Sequence, residues 1–237
     1  MQPNKTIIKS VTSRRRRIHA GAALAIVLVA AATAAGCDSS SGSPTKQQST
    51  MTVANVERRP SQGVVEALDG YGDTIDPSGN PIAAPREVDI TDVSIAKDGN
   101  NLKFTMEVAG KLPDTKPADT GAVQWGFMLD TNGDGKPDWG IFARMAQDQT
   151  NWSYGLYNQT TQAQQVGAKF PGSFSYSGST LTFTINPAAI GSPASFKWMA
   201  FTDDIAVPVQ GQTTTKQGGD KVPDNAWPLG NGWLDYP

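Results

Sequence analysis

The stretch VQWGFMLDTNGDGKPDWGIFARM, residues 123–145, decides the fold because alternating apolar residues flank an acidic, glycine-rich centre. Every second residue is apolar from Val123 to Leu129, and the same alternation runs from Trp139 to Met145. A period of two is typical of half-buried β-strands, whereas an amphipathic helix has a period of about 3.6. The stretch therefore predicts a β-hairpin whose connecting loop is residues 130–138.

The hairpin loop has the spacing of a calcium-binding loop. Side chains with oxygen atoms stand at every second position, the Lys136 carbonyl lies between the last two, and Gly135 occupies the position of a sharp turn. Calcium takes about six to eight oxygen ligands at about 2.3–2.6 Å, so several such groups must converge on one point. The loop predicts calcium as a cofactor with these ligands: Asp130, Asn132, Asp134, Lys136 and Asp138.

The loop does not complete a calcium shell by itself. Position twelve, where a bidentate Glu closes the shell of a helical calcium hand, is Ile141. The missing ligand has to come from water or from elsewhere in the fold, and four acidic residues are candidates: Asp119, Asp148, Asp203 and Asp204. The alternative is a metal-free polar turn, because Asp, Asn and Gly also suit tight turns.

The first 36 residues have the pattern of a secretory signal peptide. A basic region precedes a short apolar segment at residues 20–35, which ends in small residues directly before Cys37. The apolar segment is too short to predict a membrane span, so residues 1–36 are predicted to be removed on export. Ser13 and the run Arg14–Arg17 are similar to a twin-arginine signal, which leaves the export route open.

Cys37 is the only cysteine of the chain, and it follows Ala34-Ala35-Gly36. This arrangement resembles the bacterial lipobox, although Ala34 stands where Leu is usual. The resemblance implies that Cys37 becomes the first mature residue and carries a diacylglycerol and a palmitate-type acyl chain. The predicted partner is therefore the lipid membrane, and the predicted location is the extracytoplasmic side of a bacterial cell membrane. The alternative is a small buried cysteine near an ordinary cleavage site.

Charge and composition exclude several classes of function. Residues 1–36 contain six of the 20 Lys and Arg and none of the 22 Asp and Glu, so the remaining chain has a formal charge of −8. Such a chain repels phosphate backbones, which makes nucleic acid an unsuitable partner. The only histidine is His19, so Ser-His-Asp and Cys-His catalysis and a His-ligated zinc are excluded after cleavage. Only paired carboxylates remain for catalysis, and the chain is predicted not to be an enzyme.

The predicted organisation is a tether followed by one β domain. Residues 37–61 are mainly Ser, Gly, Thr, Gln and Lys, which predicts a flexible tether. Residues 62–237 contain short alternating strands about ten residues apart, separated by glycine turns. This pattern predicts an all-β antiparallel sandwich, jelly-roll or immunoglobulin-like, with a bulge near Asp92 and an irregular tail at residues 218–237.

The order of several motifs resembles the DOMON-like, family-nine carbohydrate-binding-module group of β-sandwiches. The motifs are DGYGD at residues 69–73, VDI at 88–90, DGNNLKFTMEV at 98–108, GFMLD at 126–130 and VPD at 222–224. The resemblance implies a sandwich that holds calcium structurally and binds sugar or haem. Haem is disfavoured because no histidine remains after residue 36. The resemblance also implies a second acidic site at Asp73 and Asp89, unless these are ordinary turn and strand-edge carboxylates in water.

Aromatic residues favour a binding function over catalysis. Sugars stack on aromatic rings while amides meet their hydroxyls, and Trp152 and Tyr154 on one strand are the candidate stacking residues. Packing in the core is the alternative for these rings. The predicted function is therefore a calcium-binding, membrane-anchored module that binds a ligand, with carbohydrate as the ligand. The alternative is an accessory protein that docks onto another envelope protein and holds calcium only for its structure. An exposed aromatic groove would indicate a sugar ligand, whereas a flat apolar patch would indicate a protein partner.

Overall fold

The protein folds into two antiparallel sheets. The computed structural model describes residues 64–76, 79–83, 85–115, 120–146, 151–206, 217–225 and 232–237. The predicted all-β sandwich is confirmed. The strands are β1 Val64–Leu68, β2 Ile90–Asp98, β3 Asn101–Val108, β4 Thr120–Asp130, β5 Trp139–Ala146, β6 Ser153–Asn158, β7 Gln164–Val166, β8 Gly172–Ser177, β9 Thr180–Ile185, β10 Phe196–Ala206, β11 Gln217–Val222 and β12 Leu234–Tyr236. The first sheet has the order β1-β2-β3-β9-β8, and the second has the order β11-β10-β4-β5-β6-β7, with β12 also paired to β10.

Strands β4 and β5 form the predicted hairpin, with Leu129 opposite Trp139 at its closed end. The apolar positions of β4 point into the space between the sheets, where Phe127 is fully buried. Its ring lies 5.3 Å from the ring of Phe104 and 6.1 Å from that of Trp198, measured between centroids. Phe104 belongs to the first sheet and Trp198 to the second, so Phe127 lies at the centre of the aromatic core.

A bulge in β2 places its apolar residues in the core. The pairing of β2 with β3 shifts by one residue between Ile90, opposite Val108, and Asp92, opposite Glu107. Without the extra residue, Val93 and Ile95 would point to the opposite face from Ile90, because side chains alternate along a strand. All three are fully buried, and the predicted bulge near Asp92 is confirmed.

Strand β10 organises the second sheet because both of its edges are paired. One edge runs along β4, and the other is shared by β12, opposite residues 196–198, and β11, opposite residues 200–205. The prediction of an irregular tail at residues 218–237 is therefore wrong for residues 218–222 and 234–236. A Cβ at Gly219 would lie 2.1 Å from the Thr202 carbonyl oxygen, so glycine is what lets β11 approach β10.

Three short 3-10 helices, Arg86–Val88, Gly167–Lys169 and Pro187–Ile190, are the helices of the described residues. In the last, the Asn186 side chain accepts a hydrogen bond from the Ala188 N–H, and Gly191 ends the helix with a φ of 86°. In the part of the chain that the structure describes, no helix has the length and apolar character needed to cross a membrane. The predicted signal peptide, Cys37 and the tether lie outside the described residues.

Candidate functional site

Five aspartates from distant parts of the sequence come together in the fold. We call them the aspartate cluster: Asp69, Asp73, Asp89, Asp220 and Asp224. Within it, one carboxylate oxygen of each residue lies within 4.8 Å of the others in two overlapping triads, Asp69-Asp73-Asp224 and Asp73-Asp89-Asp220. Asp73 belongs to both triads and is therefore the central member.

Backbone hydrogen bonds hold the cluster together. The Gly72 N–H donates to both carboxylate oxygens of Asp89, at 3.0 and 3.1 Å, which ties the loop after β1 to the start of β2. The Ile90 N–H donates to the Asp220 carboxylate at 2.7 Å. Ile75 and Gly219 exchange two backbone hydrogen bonds, of 2.8 and 3.1 Å. The cluster thus lies where the loop after β1, the start of β2 and β11 are fastened to one another.

The cluster is short of hydrogen-bond donors. Asp89 and Asp220 are only 4% and 2% exposed, and both are satisfied by the backbone donors just described. In contrast, Asp69 Oδ2 and Asp73 Oδ1 are buried and accept no hydrogen bond. Buried polar atoms are nearly always paired, and leaving one unpaired costs about 1–3 kcal/mol. Asp69 Oδ2 and Asp73 Oδ1 are therefore the acceptor atoms that the hydrogen bonds of the cluster leave unsatisfied.

Burial and mutual repulsion change the acidity of the cluster. Burial, followed by the charge of Asp220, raises the pKa of Asp69 to about 9. Burial, followed by the charge of Asp73, raises the pKa of Asp220 to about 8. Burial, followed by the charge of Asp224, raises the pKa of Asp73 to about 6. Without a cation, the folded protein therefore disfavours the fully ionised cluster at neutral pH, and a divalent cation would relieve this repulsion.

The sequence identified part of this site. Asp73 and Asp89, the predicted second acidic pair, do lie together. Asp69 and Asp224 stand in two of the motifs that carry the family resemblance, but no site role was predicted for them. Asp220 lies in the segment predicted to be irregular, where only its pairing partner β10 places it. No local feature of the sequence indicates that Asp220 belongs to the aspartate cluster.

Carboxylates of the hairpin loop accept hydrogen bonds from the N–H groups of the same loop. The Asp130 carboxylate accepts hydrogen bonds from the N–H groups of Gly133 and Gly135, at 2.6 and 2.9 Å. Asp138 Oδ2 accepts three, from the Thr131 N–H, the Thr131 hydroxyl and the Asn132 N–H, at 2.7, 2.7 and 3.1 Å. Gly133 and Gly135 both have positive φ, of 79° and 81°, which explains why glycine stands at the predicted sharp turn.

Side-chain hydrogen bonds order the remaining positions of the loop. The Asp134 N–H donates to Asn132 Oδ1, and the Lys136 N–H donates to Asp134 Oδ1, both at 2.8 Å. In residues 130–138, which are all described, the acidic side chains do not form a triad with oxygens within 4.8 Å of one another. The loop has the predicted hairpin position and an ordered conformation, and its calcium site stays a prediction.

Two candidates for the missing loop ligand are excluded by strand register. Lys197 lies opposite Asp130, whereas Asp203 and Asp204 lie opposite Gln124 and Val123. At about 3.3 Å per residue, they are about 20 Å along the strand from the loop. The prediction of Asp203 or Asp204 as a loop ligand is therefore wrong. The other two candidates, Asp119 and Asp148, lie outside the described residues.

The predicted stacking residues lie in an aromatic cluster beneath the surface. The Trp152 ring lies 4.8 Å from Trp125 and 4.9 Å from Tyr176, and the Tyr154 ring stacks on Phe174 at 5.1 Å. Trp152 and Tyr154 are half-buried, whereas Tyr176 is among the exposed large side chains. The contacts of Trp152 and Tyr154 fit packing against β8, and the exposed end of the cluster is Tyr176.

Comparisons with known proteins give no match. No family model, no curated protein and no solved structure matches this chain. The resemblance to the DOMON-like and family-nine carbohydrate-binding-module group therefore stays a prediction, and the function is argued from the geometry of the site.

Proposed function

We propose that this chain is a membrane-anchored, calcium-binding lipoprotein of the bacterial envelope whose β-sandwich binds carbohydrate. The aspartate cluster is its principal calcium site, and the hairpin loop at residues 130–138 is a second one. Calcium is structural in this proposal, because the cluster joins the loop after β1 to β11. No side chain is assigned a catalytic role.

The observation that carries the proposal is the pair of buried carboxylate oxygens without donors, Asp69 Oδ2 and Asp73 Oδ1. They lie in a group of five carboxylates, where a water-filled or empty centre would leave several negative charges facing one another. Calcium prefers carboxylate oxygens and tolerates irregular shells of six to eight ligands. Backbone carbonyls and waters can supply the ligands beyond the carboxylates.

The exposed surface favours sugar over a protein partner. Of the large hydrophobic side chains in the described residues, three are exposed: Tyr71, Val166 and Tyr176. A docking face for an envelope protein requires a contiguous apolar patch, typically of several hundred Å². Two of the three residues are tyrosines, which offer a ring for stacking and a hydroxyl for hydrogen bonding.

Carbohydrate binding is expected to appear on a polysaccharide array probed with the purified protein, and to weaken when EGTA replaces calcium. The expected reason for the loss is that calcium holds the loop after β1 in place. A protein that binds no glycan with calcium present, but crosslinks to one defined envelope protein in cells, would support the docking alternative instead.

Replacing Cys37 by Ser is expected to move the protein from the membrane fraction to the soluble fraction of cells. A thioether-linked lipid is the anchor in this proposal, and serine cannot form the thioether. The measurement is detergent-phase partitioning of the two proteins after labelling with radioactive palmitate. Ser43→Ala, in the same tether, is the matched control. Equal labelling of Cys37→Ser and the unchanged protein contradicts the anchor.

A further inference from the structure

We infer that the pocket beside the aspartate cluster, lined by Tyr71, Ile82 and Arg86, binds a hexuronic acid residue of an acidic polysaccharide. The inference rests on the proposed function and specifies its ligand class. It also differs from the site expected from sequence, because it does not use Trp152 or Tyr154. Four features support it: the size of the pocket, the Arg86 guanidinium, the exposed Tyr71 ring and the adjacent aspartate cluster.

The pocket has the size of a small-molecule site. Its volume is about 390 Å³, and it is lined by Tyr71, Gly72, Thr74, Ile82, Ala83, Arg86 and Asp89. Sites for small ligands generally enclose about 300–1,000 Å³ and combine apolar walls with a few polar groups. Here Ile82 and Ala83 supply the apolar wall, while Arg86 and Asp89 supply opposite charges.

Arg86 and Tyr71 form the polar and aromatic part of the pocket. The guanidinium carbon of Arg86 lies 5.4 Å from the centroid of the Tyr71 ring, within the range of a cation–π contact. In the described part of the chain, that guanidinium donates no hydrogen bond and joins no ion pair. Tyr71 is 66% exposed, so much of its ring remains open to a ligand. The N–H donors of Arg86 and the exposed part of the Tyr71 ring therefore lie side by side.

The backbone around the pocket is fixed in place. Gly72 has a φ of 81° and donates its N–H to Asp89, which positions the adjacent Tyr71. The Ile82 N–H donates to the Thr74 carbonyl at 2.9 Å, and the Thr74 hydroxyl donates to the Ile82 carbonyl at 2.7 Å. These bonds join the two segments that form the walls. The pocket is thus largely preformed, which reduces the ordering cost of binding.

The backbone of Arg86 is also held from below. Its carbonyl accepts a hydrogen bond from the Gly110 N–H at 2.8 Å. A Cβ at Gly110 would lie 2.8 Å from the Arg86 Cβ, so glycine permits this close approach. Arg86 therefore projects from a fixed point, and its guanidinium is free to turn toward a ligand.

The chemistry of these groups fits a sugar acid. A guanidinium matches the two oxygens of a carboxylate with two parallel hydrogen bonds. The apolar face of a pyranose ring can pack on Tyr71 and against Ile82. A hexuronic acid carries the carboxylate and the pyranose in one residue, whereas a neutral sugar leaves Arg86 unpaired. Inorganic phosphate would engage Arg86 but would make no contact with the ring or the apolar wall.

Binding of an acidic sugar requires the neighbouring aspartates to be neutralised. Asp89 lines the pocket and is also a member of the cluster, so an uncompensated cluster would repel a carboxylate. A calcium ion bound by Asp73 and Asp89 offsets their two negative charges. The pocket is therefore expected to bind the acidic sugar in the calcium-loaded protein only.

The test compares two sugars that differ in one group, D-glucuronate and D-glucose, on ¹⁵N-labelled protein in calcium. Glucuronate is expected to shift the Gly72 amide resonance, with an affinity at least about tenfold higher than that of glucose because of the charge-assisted hydrogen bonds. Arg86→Gln and Tyr71→Ala are each expected to weaken glucuronate binding about tenfold. The controls Lys97→Gln and Val166→Ala, at exposed positions outside the pocket, are expected to bind as the unchanged protein does.

Each other result overturns the inference in a distinguishable way. Equal affinity for glucose and glucuronate, unchanged in Arg86→Gln, makes the pocket a neutral-sugar site and leaves the proposed function intact. Inorganic phosphate binding as tightly as glucuronate, with the same loss in Arg86→Gln and none in Tyr71→Ala, makes it a general anion site. If neither sugar shifts the Gly72 resonance, the pocket is excluded as a sugar site. Thermal melting then shows separately whether calcium still binds. Undiminished glucuronate binding in EGTA overturns the coupling to calcium.

Discussion

Calcium is expected to raise the midpoint of thermal unfolding of the protein by about 5–10 °C at pH 8. A ligand that binds only the folded state stabilises it by about 2.7 kcal/mol at a hundredfold excess over its dissociation constant. For a domain of about 150–250 residues, each kcal/mol shifts the midpoint by about 2–4 °C. The measurement is calorimetry with calcium and with EGTA.

The calcium effect is expected to depend on pH. The folded-state pKa values of Asp69, Asp220 and Asp73 are raised to about 9, about 8 and about 6. The folded state therefore binds more protons than the unfolded state between about pH 4 and pH 9, so the calcium-free protein loses stability as pH rises through this range. Protons and calcium compete for the same oxygens, so the calcium effect should shrink at pH 5.

One conservative substitution separates the aspartate cluster from the hairpin loop. Asp73→Asn is expected to abolish most of the calcium effect while leaving the EGTA midpoint unchanged or higher, because it removes one of several facing charges. Asp134→Asn tests the loop, and Asp98→Asn, at the exposed end of β2, is the control. If calcium raises the midpoint of Asp73→Asn as much as that of the unchanged protein, the ion does not lie in the cluster.

Phe127→Ala is expected to lower the free energy of unfolding by about 3–5 kcal/mol, a large share of the stability of a typical domain. The ring is fully buried and contacts aromatic rings from both sheets: Phe104, Phe183 and Trp198. Alanine would leave a cavity between the sheets. The strands that carry the neighbouring rings cannot close this cavity without shifting the strands they pair with. Urea unfolding followed by tryptophan fluorescence measures the loss.

The matched control for Phe127 is Phe174→Ala on β8. Phe174 is only half-buried, so its removal should cost less than half as much. An equal loss at both positions would mean that the aromatic cluster around Trp152, rather than the centre of the sandwich, dominates stability.

Strand prediction worked where the local pattern is sufficient. Period-two alternation predicted the β4–β5 hairpin, because each of its strands buries one face and the sequence alternates accordingly. It failed for β11, whose glycines and Asp220 have no strand propensity. That strand exists because β10 offers it an open edge, which is information held in another part of the chain.

The functional site was harder to predict for the same reason. Alternation predicted Trp152 and Tyr154 on one strand, but β6 begins at Ser153, so Trp152 directly precedes it. The pattern also could not show that both rings pack against β8. The acidic pair Asp73 and Asp89 was found through a motif resemblance, while Asp220 joins them only through the tertiary fold. Tyr71 lies in the DGYGD motif but was given no role there, and Arg86 lies in none of the motifs. Their contact depends on the turn that Gly72 makes.

The hydrogen bond from Ile90 to Asp220 closes a loop of 130 residues. Contacts of such sequence separation form late in folding, because a large loss of chain entropy precedes them. The aspartate cluster therefore has no metal-binding form in a chain that lacks β11 or has not yet positioned it. The proposed calcium ion would therefore bind only folded molecules, and it would slow their unfolding without guiding the chain toward the fold.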